Sequence, residues 1–336
     1  MRNKNYYDKV HGCLLGVAAG DALGMPTSLL PPEEIKRLFP DGVNSFLPAP
    51  VGHLIHDNMV AGQITDDTQQ TLVLADLFLE TGGFTAEGAA RKLIEWAESL
   101  NALEGLYLGP SSGRALKMIR DGAPVTETGT IGDTNGASMR ISAVGLAHPG
   151  DLDAVVADTA IVCMPTHNTN IAIAGAAGVA SVISTAINNG SLDDIIEAFF
   201  YGVDQGMQQG GVWTGASIKH RTEWALELIR SGKSEQDIWT DLYNYIGTGV
   251  ATTEAVPTAL ALVAYYEGDP WRVIHAAANM GGDCDTVGAI AGSMAGAFGG
   301  AEAFPDHVAG TIEEANHLNL ADYAQRIVNK LELSKN

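Results

Sequence analysis

Apolar residues recur at the 3.6-residue spacing of a helix along almost the whole chain, and this period constrains the fold more than any other feature. It predicts helices over about 8–22, 66–81, 85–100, 111–121, 136–147, 152–163, 168–188, 191–206, 213–231, 234–246, 256–267, 269–280, 285–298, 304–316 and 319–333. Start signals agree with several of them. Thr85, Ser191, Ser234 and Asp269 each offer a capping oxygen ahead of acids or a proline in the first turn. Strand-like alternation is scarce, and "VNSFLP" at 43–48 is the best short candidate. With no fixed-period repeat and no Ser/Pro-rich linker, residues 1–336 read as one all-α domain of many short helices. The stretch from about Ser28 to Gln63 has the weakest periodicity, and "PPEEIKR" within it reads as a loop or helix end. Long irregular segments in compact domains often carry function, so this one is a candidate rim or lid.

A chain of 336 residues with 46% apolar content has ample material for a core. Its 39 glycines lie largely inside Ala-rich helical stretches, where they permit close helix approach. The net charge of −21 repels phosphate backbones and anionic lipid, which argues against nucleic-acid and membrane partners. The same charge favours cations, and it also serves solubility. Cys13, Cys163 and Cys284 form no CxxC pair, so neither a zinc knuckle nor a disulfide framework is expected, and a reducing cytoplasm fits. The N-terminal "MRNKNYYDKVHG" has no apolar signal-peptide core. Residues 168–191 carry no charge and are long enough to span a bilayer. Their Asn, Ser and Thr content points instead to a central buried helix.

Two acidic clusters stand out. In "ITDDTQQTLVLADLFLE", Thr65, Asp66, Asp67 and Thr68 open an amphipathic helix, where helix capping alone accounts for such residues. In "GGDCDTVGAIAGSMAGAFGG", Asp283, Asp285 and Thr286 precede a helix apolar on nearly every face. A cap needs one oxygen-bearing side chain, and three are present here. Anionic groups at a buried helix start are costly unless paired or metal-bound. A hard divalent cation such as Mg²⁺ or Mn²⁺ takes carboxylate and hydroxyl oxygens, and one cluster per helix start would make a site for two. Elsewhere, "GDALGMP" reads as a C-cap and turn. "LGPSSGRAL" and "GDTNGASMR" read as turns entering helices whose N–H groups suit a phosphate, and His167 in "MPTHNTN" reads as a hydrogen-bonded structural residue. No GxSxG, Walker A or GxGxxG motif is present.

Taken together, "GCLLGVAAGDALGMP", "TDDT", "TNGASMR", "PTH" and "GGDCDTVGAIAGSMAGA" resemble, in order and across nearly the whole chain, the ADP-ribosylglycohydrolase family. The resemblance implies a single-domain orthogonal all-α bundle around a binuclear Mg²⁺ or Mn²⁺ centre that hydrolyses a glycosidic bond at the anomeric carbon of ribose. Thr65, Asp66, Asp67, Asp283, Asp285 and Thr286 would be the metal ligands, with Asp66, Asp67 and Asp285 catalytic. Gly109, Ser111, Ser112, Gly113, Asn135, Gly136, Ser138 and Met139 would hold the ribose or phosphate, and His167 and Ser28 would line the pocket. Many members carry Glu where this chain has Ser28, which cannot take a proton as a carboxylate does. The resemblance leaves as substrates an ADP-ribosylated protein or a small riboside, the "LGPSS" and "TNGASMR" variants being closer to the latter. Ser28 keeps open a catalytically impaired, metal-stabilised binding or structural protein, and a metal-dependent phosphohydrolase is a third reading.

Overall fold

The computed structural model describes residues 2–104 and 107–333. Helix α1 (Arg2–Gly24) and the short α2 (Pro32–Leu38) come first, followed after a long irregular segment by α3 (Asp66–Thr81), α4 (Ala86–Ser99), α5 (Pro110–Arg120) and the single turns α6 (Val125–Thr128) and α7 (Gly136–Met139). Then come α8 (Ser142–Ala147), α9 (Leu152–Cys163), α10 (Asn170–Ile187), α11 (Leu192–Gly206), α12 (Ile218–Ile229) and α13 (Glu235–Asp241). The last five are α14 (Thr252–Tyr265), α15 (Pro270–Met280), α16 (Cys284–Gly299), α17 (His307–Asn316) and α18 (Leu320–Leu333). The fold is all-α, and only isolated β-bridges occur among the described residues.

The expected caps form. Thr85, Ser234 and Asp269 accept from the N–H groups of Gly88, Asp237 and Arg272, and Ser191 and Asp194 close a capping box. Several boundaries differ for local reasons. The 136–147 helix breaks after Met139, and Arg140 turns fully inward. The 213–231 helix starts only at Ile218, after the Ser217 cap, and the 234–246 helix ends as a π-turn over Leu242–Ile246. "PPEEIKR" is a helix, with Pro32 in the first turn, where the missing N–H costs nothing. Helix α14 begins before Pro257, which has no N–H for the carbonyl of Thr253, and Arg221 Nη1 donates to that oxygen instead at 3.1 Å. The 43–48 candidate is not a strand. The Asn279 amide satisfies Val43 on both sides, accepting from its N–H at 2.8 Å and donating to its carbonyl at 3.1 Å.

Helix α10 is the uncharged candidate span, with mean hydropathy 1.7 and 94% of its window buried inside the protein. One buried apolar cluster extends from Val10 to Leu331 and includes α10. Helices α1 and α16 run side by side along a seam of glycines spaced four residues apart on each helix. A Cβ on Gly12, Gly16 or Gly20 would overlap backbone of Gly296, Gly292 or Gly288 respectively. Glycine is required there because the two backbones touch.

Candidate active site

Helices α3 and α16 both begin at one cavity of about 470 Å³, within the usual range for small-molecule sites. Helix α1 holds the start of α3. Asp21, buried inside α1, accepts from the Thr65 N–H at 3.0 and 2.9 Å through its two oxygens, and from the Thr68 N–H at 3.1 Å. Asp21 is thus not the C-cap its motif suggested, since α1 continues to Gly24 and the carboxylate serves another helix. Thr65 caps α3, and Asp66 and Asp67 are left facing the cavity.

The start of α16 is held by backbone. Gly281 (φ 90°) and Gly282 (φ 84°) make a turn that side chains rarely adopt, and Gly282 exchanges backbone hydrogen bonds with Leu29 and Leu30. The Asp283 N–H donates to the Thr248 carbonyl at 2.7 Å. Asp283 occupies the N-cap position of α16, yet its side chain makes no capping bond and instead accepts from Asn135 Nδ2 at 2.6 Å. Capping therefore does not explain Asp283, whereas Asp285 Oδ1 does take one first-turn donor, the Thr286 N–H, at 2.9 Å.

Asp66, Asp67, Asp283 and Asp285 all line the cavity, and their charges act on one another. Burial first, and then Asp285 and Asp21, push the Asp66 carboxyl up to about 7. Asp67 and Asp283 are raised well above the ordinary carboxylate range, by burial and then by neighbouring acids. Asp21 is raised to about 6, chiefly by burial. Asp285 goes the other way. Burial works against its charge, but His56 and Ser28 outweigh it and hold the carboxyl below its usual range.

A hard divalent cation suits this donor set: four carboxylates, with the Asp67 Oδ1 atom buried and without a hydrogen-bond partner. As placed, no three His, Cys, Asp or Glu side chains among the described residues close around one point. Their oxygens are instead tied to neighbours. Asp285 Oδ1 accepts from Ser28 Oγ at 2.6 Å, and its Oδ2 from His56 Nε2 at 2.8 Å. Asp67 Oδ2 accepts from Thr65 Oγ1 at 3.0 Å, and Asp66 Oδ2 from Gln70 Nε2 at 2.9 Å. The residues fit such an ion in chemistry, and they share one cavity wall.

These raised carboxyls carry a stability consequence. A carboxyl whose pKa is higher in the folded state stabilises at low pH and loses that contribution as pH rises through the folded value. His56, raised above its ordinary value by the Asp285 carboxylate against the effect of burial, acts in the same direction. Asp285, held low, titrates below the window. His11, His53, His167 and His275, held low by burial, act the other way but only below about pH 6.5. In the presence of chelator, the melting temperature is therefore expected to fall by several degrees between about pH 6.5 and about pH 8. A flat or rising profile in differential scanning calorimetry would contradict it.

The cavity wall contains Asp66, Asp67, Asp283, Asp285, Thr286, Gly109, Ser112, Gly113, Asn135, Gly136 and Met139 of the sequence-predicted residues. The others sit behind the wall. Thr65 lies beneath Asp67, and Ser28 behind Asp285. Ser111 and Ser138 are buried. His167 does not line the cavity. It is wholly buried behind Gly136, between Thr134 Oγ1 at 3.0 Å and Thr166 Oγ1 at 2.8 Å. Burial, then Arg140 and Arg114, push its pKa well below the ordinary imidazole value. Arg140 itself is buried, bonded to Gln70 and Thr166 at 2.5 Å each.

Several residues of the site are not singled out by the sequence pattern. Asp21 was visible only as a turn residue, and His53 and His56 lie in the aperiodic segment. Leu54 and Ile55 line the cavity from that segment, as the expected rim. Arg114 and Lys117 line it from α5, and two guanidinium nitrogens of Arg114, Nε and Nη2, are buried without partners.

Comparison with known proteins shows what the chain is related to. The chain is 37% identical over 320 residues to the uncharacterized protein YegU of Escherichia coli strain K12, covering 94% of this chain and 95% of that one. It is 25% identical to the ADP-ribosyl-(dinitrogen reductase) glycohydrolase of Rhodospirillum rubrum, over 91% of this chain and 90% of the relative. A solved structure titled ADP-ribosylglycohydrolase-related protein complex has the same fold, with a TM-score of 0.71 at 24% identity, covering 97% and 99% of the two chains. The family model for ADP-ribosylglycohydrolase matches residues 2–336, and with acids from two helix starts meeting at one cavity, the chain belongs to the ADP-ribosylglycohydrolase family.

Proposed function

We propose that the protein is a hydrolase dependent on two Mg²⁺ or Mn²⁺ ions that cleaves the glycosidic bond at the ribose anomeric carbon of an ADP-ribosyl group or a related riboside. One observation carries this reading: four aspartates from the starts of α3 and α16 share one cavity wall, and Asp283, at the N-cap position of α16, makes no capping bond. The name of the Rhodospirillum rubrum relative supports the ADP-ribosyl substrate class.

Thr65, Asp66, Asp67, Asp283, Asp285 and Thr286 would hold the ions, with Thr65 exchanging its bond to Asp67 for one to a cation. Two such ions supply Lewis acidity and concentrated positive charge against which a water and sugar hydroxyls are oriented. The aspartates are the only carboxylates among the described residues of the cavity wall, and no histidine lines it. The proton acceptor is therefore one of the four. Asp66 is half-buried while the other three are buried, and we assign the role to it. Asn135 fixes Asp283 through its amide. The N-terminal turn of α5, with Arg114 and Lys117, suits a substrate phosphate, since free N–H groups and a guanidinium both favour an anion.

A second reading, a catalytically impaired binding or structural protein, is favoured by the absence of a carboxylate at Ser28 and by the double hold on Asp285. The test is a panel of nucleosides, ADP-ribose conjugates and ADP-ribosyl-arginine peptide, incubated with Mg²⁺ or Mn²⁺. Release of ribose or ADP-ribose that stops with chelator is the expected result. No release from any member, beside a melting temperature that still rises with cation, would establish the second reading. Phosphate release alone from nucleotides would point to a phosphohydrolase.

A further inference from the structure

The sequence His53-Leu54-Ile55-His56 lies in the irregular segment between α2 and α3. Its two histidines point inward and are 7% and 3% exposed, while Leu54 is 72% exposed. The two rings stack with centroids 5.2 Å apart and planes 21° from parallel. His53 Nδ1 accepts from the His56 N–H at 3.1 Å, so His53 Nε2 carries the proton and donates to the Ser28 carbonyl at 3.0 Å. That ring is thereby fixed in place and in tautomer, and it packs against His56. His56 Nε2 in turn donates to Asp285 Oδ2 at 2.8 Å, while Ser28 Oγ donates to Oδ1.

We propose that His56 is the positioning residue of Asp285, setting the plane of that carboxylate toward the cavity, with His53 and Ser28 completing the clasp. The inference rests on the metal-dependent reading of the site. Asp285 stands among Asp66, Asp67 and Asp283, whose charges would turn a free carboxylate away from them. The Thr286 N–H also donates to Oδ1 at 2.9 Å, so donors on both oxygens oppose that rotation, and the lone pair left for a cation is on Oδ2. A glutamate at position 28 would repel Asp285, whereas the Ser28 hydroxyl donates to it, so Ser28 and His56 form one matched pair of donors. The clasp also joins Asp285 to the rim. Leu54 and Ile55 lie between the two histidines and line the cavity, so the apolar rim and the acid are held in one register.

The test uses Mn²⁺ alone, titrated by calorimetry and by its electron paramagnetic resonance signal into the full chain. Residues that orient a metal ligand typically contribute ten- to hundredfold in affinity, so His56→Ala is expected to weaken Mn²⁺ binding by about 10–100-fold. His56→Gln, whose amide can donate to the same carboxylate oxygen, is expected to recover most of the loss. Failure of that rescue would mean His56 serves only packing and would overturn the proposal. Equal or tighter Mn²⁺ binding by His56→Ala would also overturn it, the tighter case meaning that His56 competes with the cation for Asp285. If His56→Ala does not fold by circular dichroism, His53→Ala keeps the Asp285 bond but frees the ring. It should show a smaller loss in the same direction, and unchanged affinity would count against the clasp. A parent chain that binds no Mn²⁺ would remove the metal reading and this inference together. A binding parent with unaffected variants would remove this inference alone.

Discussion

Asp67→Asn is expected to give a protein more stable than the parent in chelator at about pH 8, yet with ribosyl hydrolysis reduced at least about a hundredfold and its response to Mg²⁺ or Mn²⁺ lost. The stability gain follows from the environment of Asp67. Its pKa is raised well above the ordinary range by burial and then by Asp21, Asp66, Asp285 and Asp283, so holding it ionised in the folded protein is unfavourable. An amide removes that charge while keeping the shape. Its oxygen can still accept from Thr65 Oγ1, and its N–H₂ would occupy the place of the unpartnered Oδ1 atom, facing acids rather than joining them. The loss of function follows from the same change, because the site gives up one of its four carboxylates and the excess negative charge that would attract a cation. Melting curves in chelator, a Mn²⁺ titration and the ribosyl-release assay measure the three parts separately. A variant less stable than its parent in chelator would mean that Asp67 is held by favourable bonds, and the charge argument would fail. A variant that still releases ribose at the parent rate would remove Asp67 from the site.

How much of this was readable in the chain depends on how each residue finds its partner. The acids of "TDDT" and "GGDCDT" are consecutive and sit at helix starts, so local pattern exposes their excess over what a cap needs. Helices α3, α9, α11 and α15 fall within a residue or two of the predicted bounds, because their caps and apolar spacing agree. The misses have a common cause, which is dependence on a distant partner. His56 is 229 positions from Asp285, and nothing near "HLIH" records that bond. Asp21 serves the backbone of Thr65 and Thr68 rather than its own helix end. The break after Met139 comes from burying Arg140 against Gln70 and Thr166, an arrangement that helical periodicity alone does not encode. The resemblance puts His167 in the pocket, whereas the reading of its motif as holding a hydrogen-bonded structural histidine agrees with Thr134 and Thr166, which hold it one layer behind.

The largest structural effect is expected at the α1–α16 seam, where Gly292→Val should prevent accumulation of folded protein. A Cβ at Gly292 would overlap the Gly16 carbonyl oxygen, and the Ile274 side chain lies 2.9 Å from the same position, so the neighbours have nowhere to move. Overpacking that single side-chain shifts can absorb costs about 1–3 kcal/mol, and a clash with backbone exceeds it. Gly310→Ala on α17 is the matched control. No atom lies within 4 Å of its added Cβ, so helix propensity should make it neutral or stabilising by up to about 1 kcal/mol. The seam also carries the site. Helix α1 brings Asp21, which holds the start of α3, and α16 brings Asp283 and Asp285, so the distance between the two acidic clusters is set where the glycines meet. Gly288→Ala, next to Gly20 and one turn from Asp285, is therefore expected to weaken Mn²⁺ binding before helix content is lost on heating. If Gly288→Ala kept full Mn²⁺ affinity while lowering stability, the seam would be a matter of folding alone, and the acids would owe their placement to the Gly281–Gly282 turn instead.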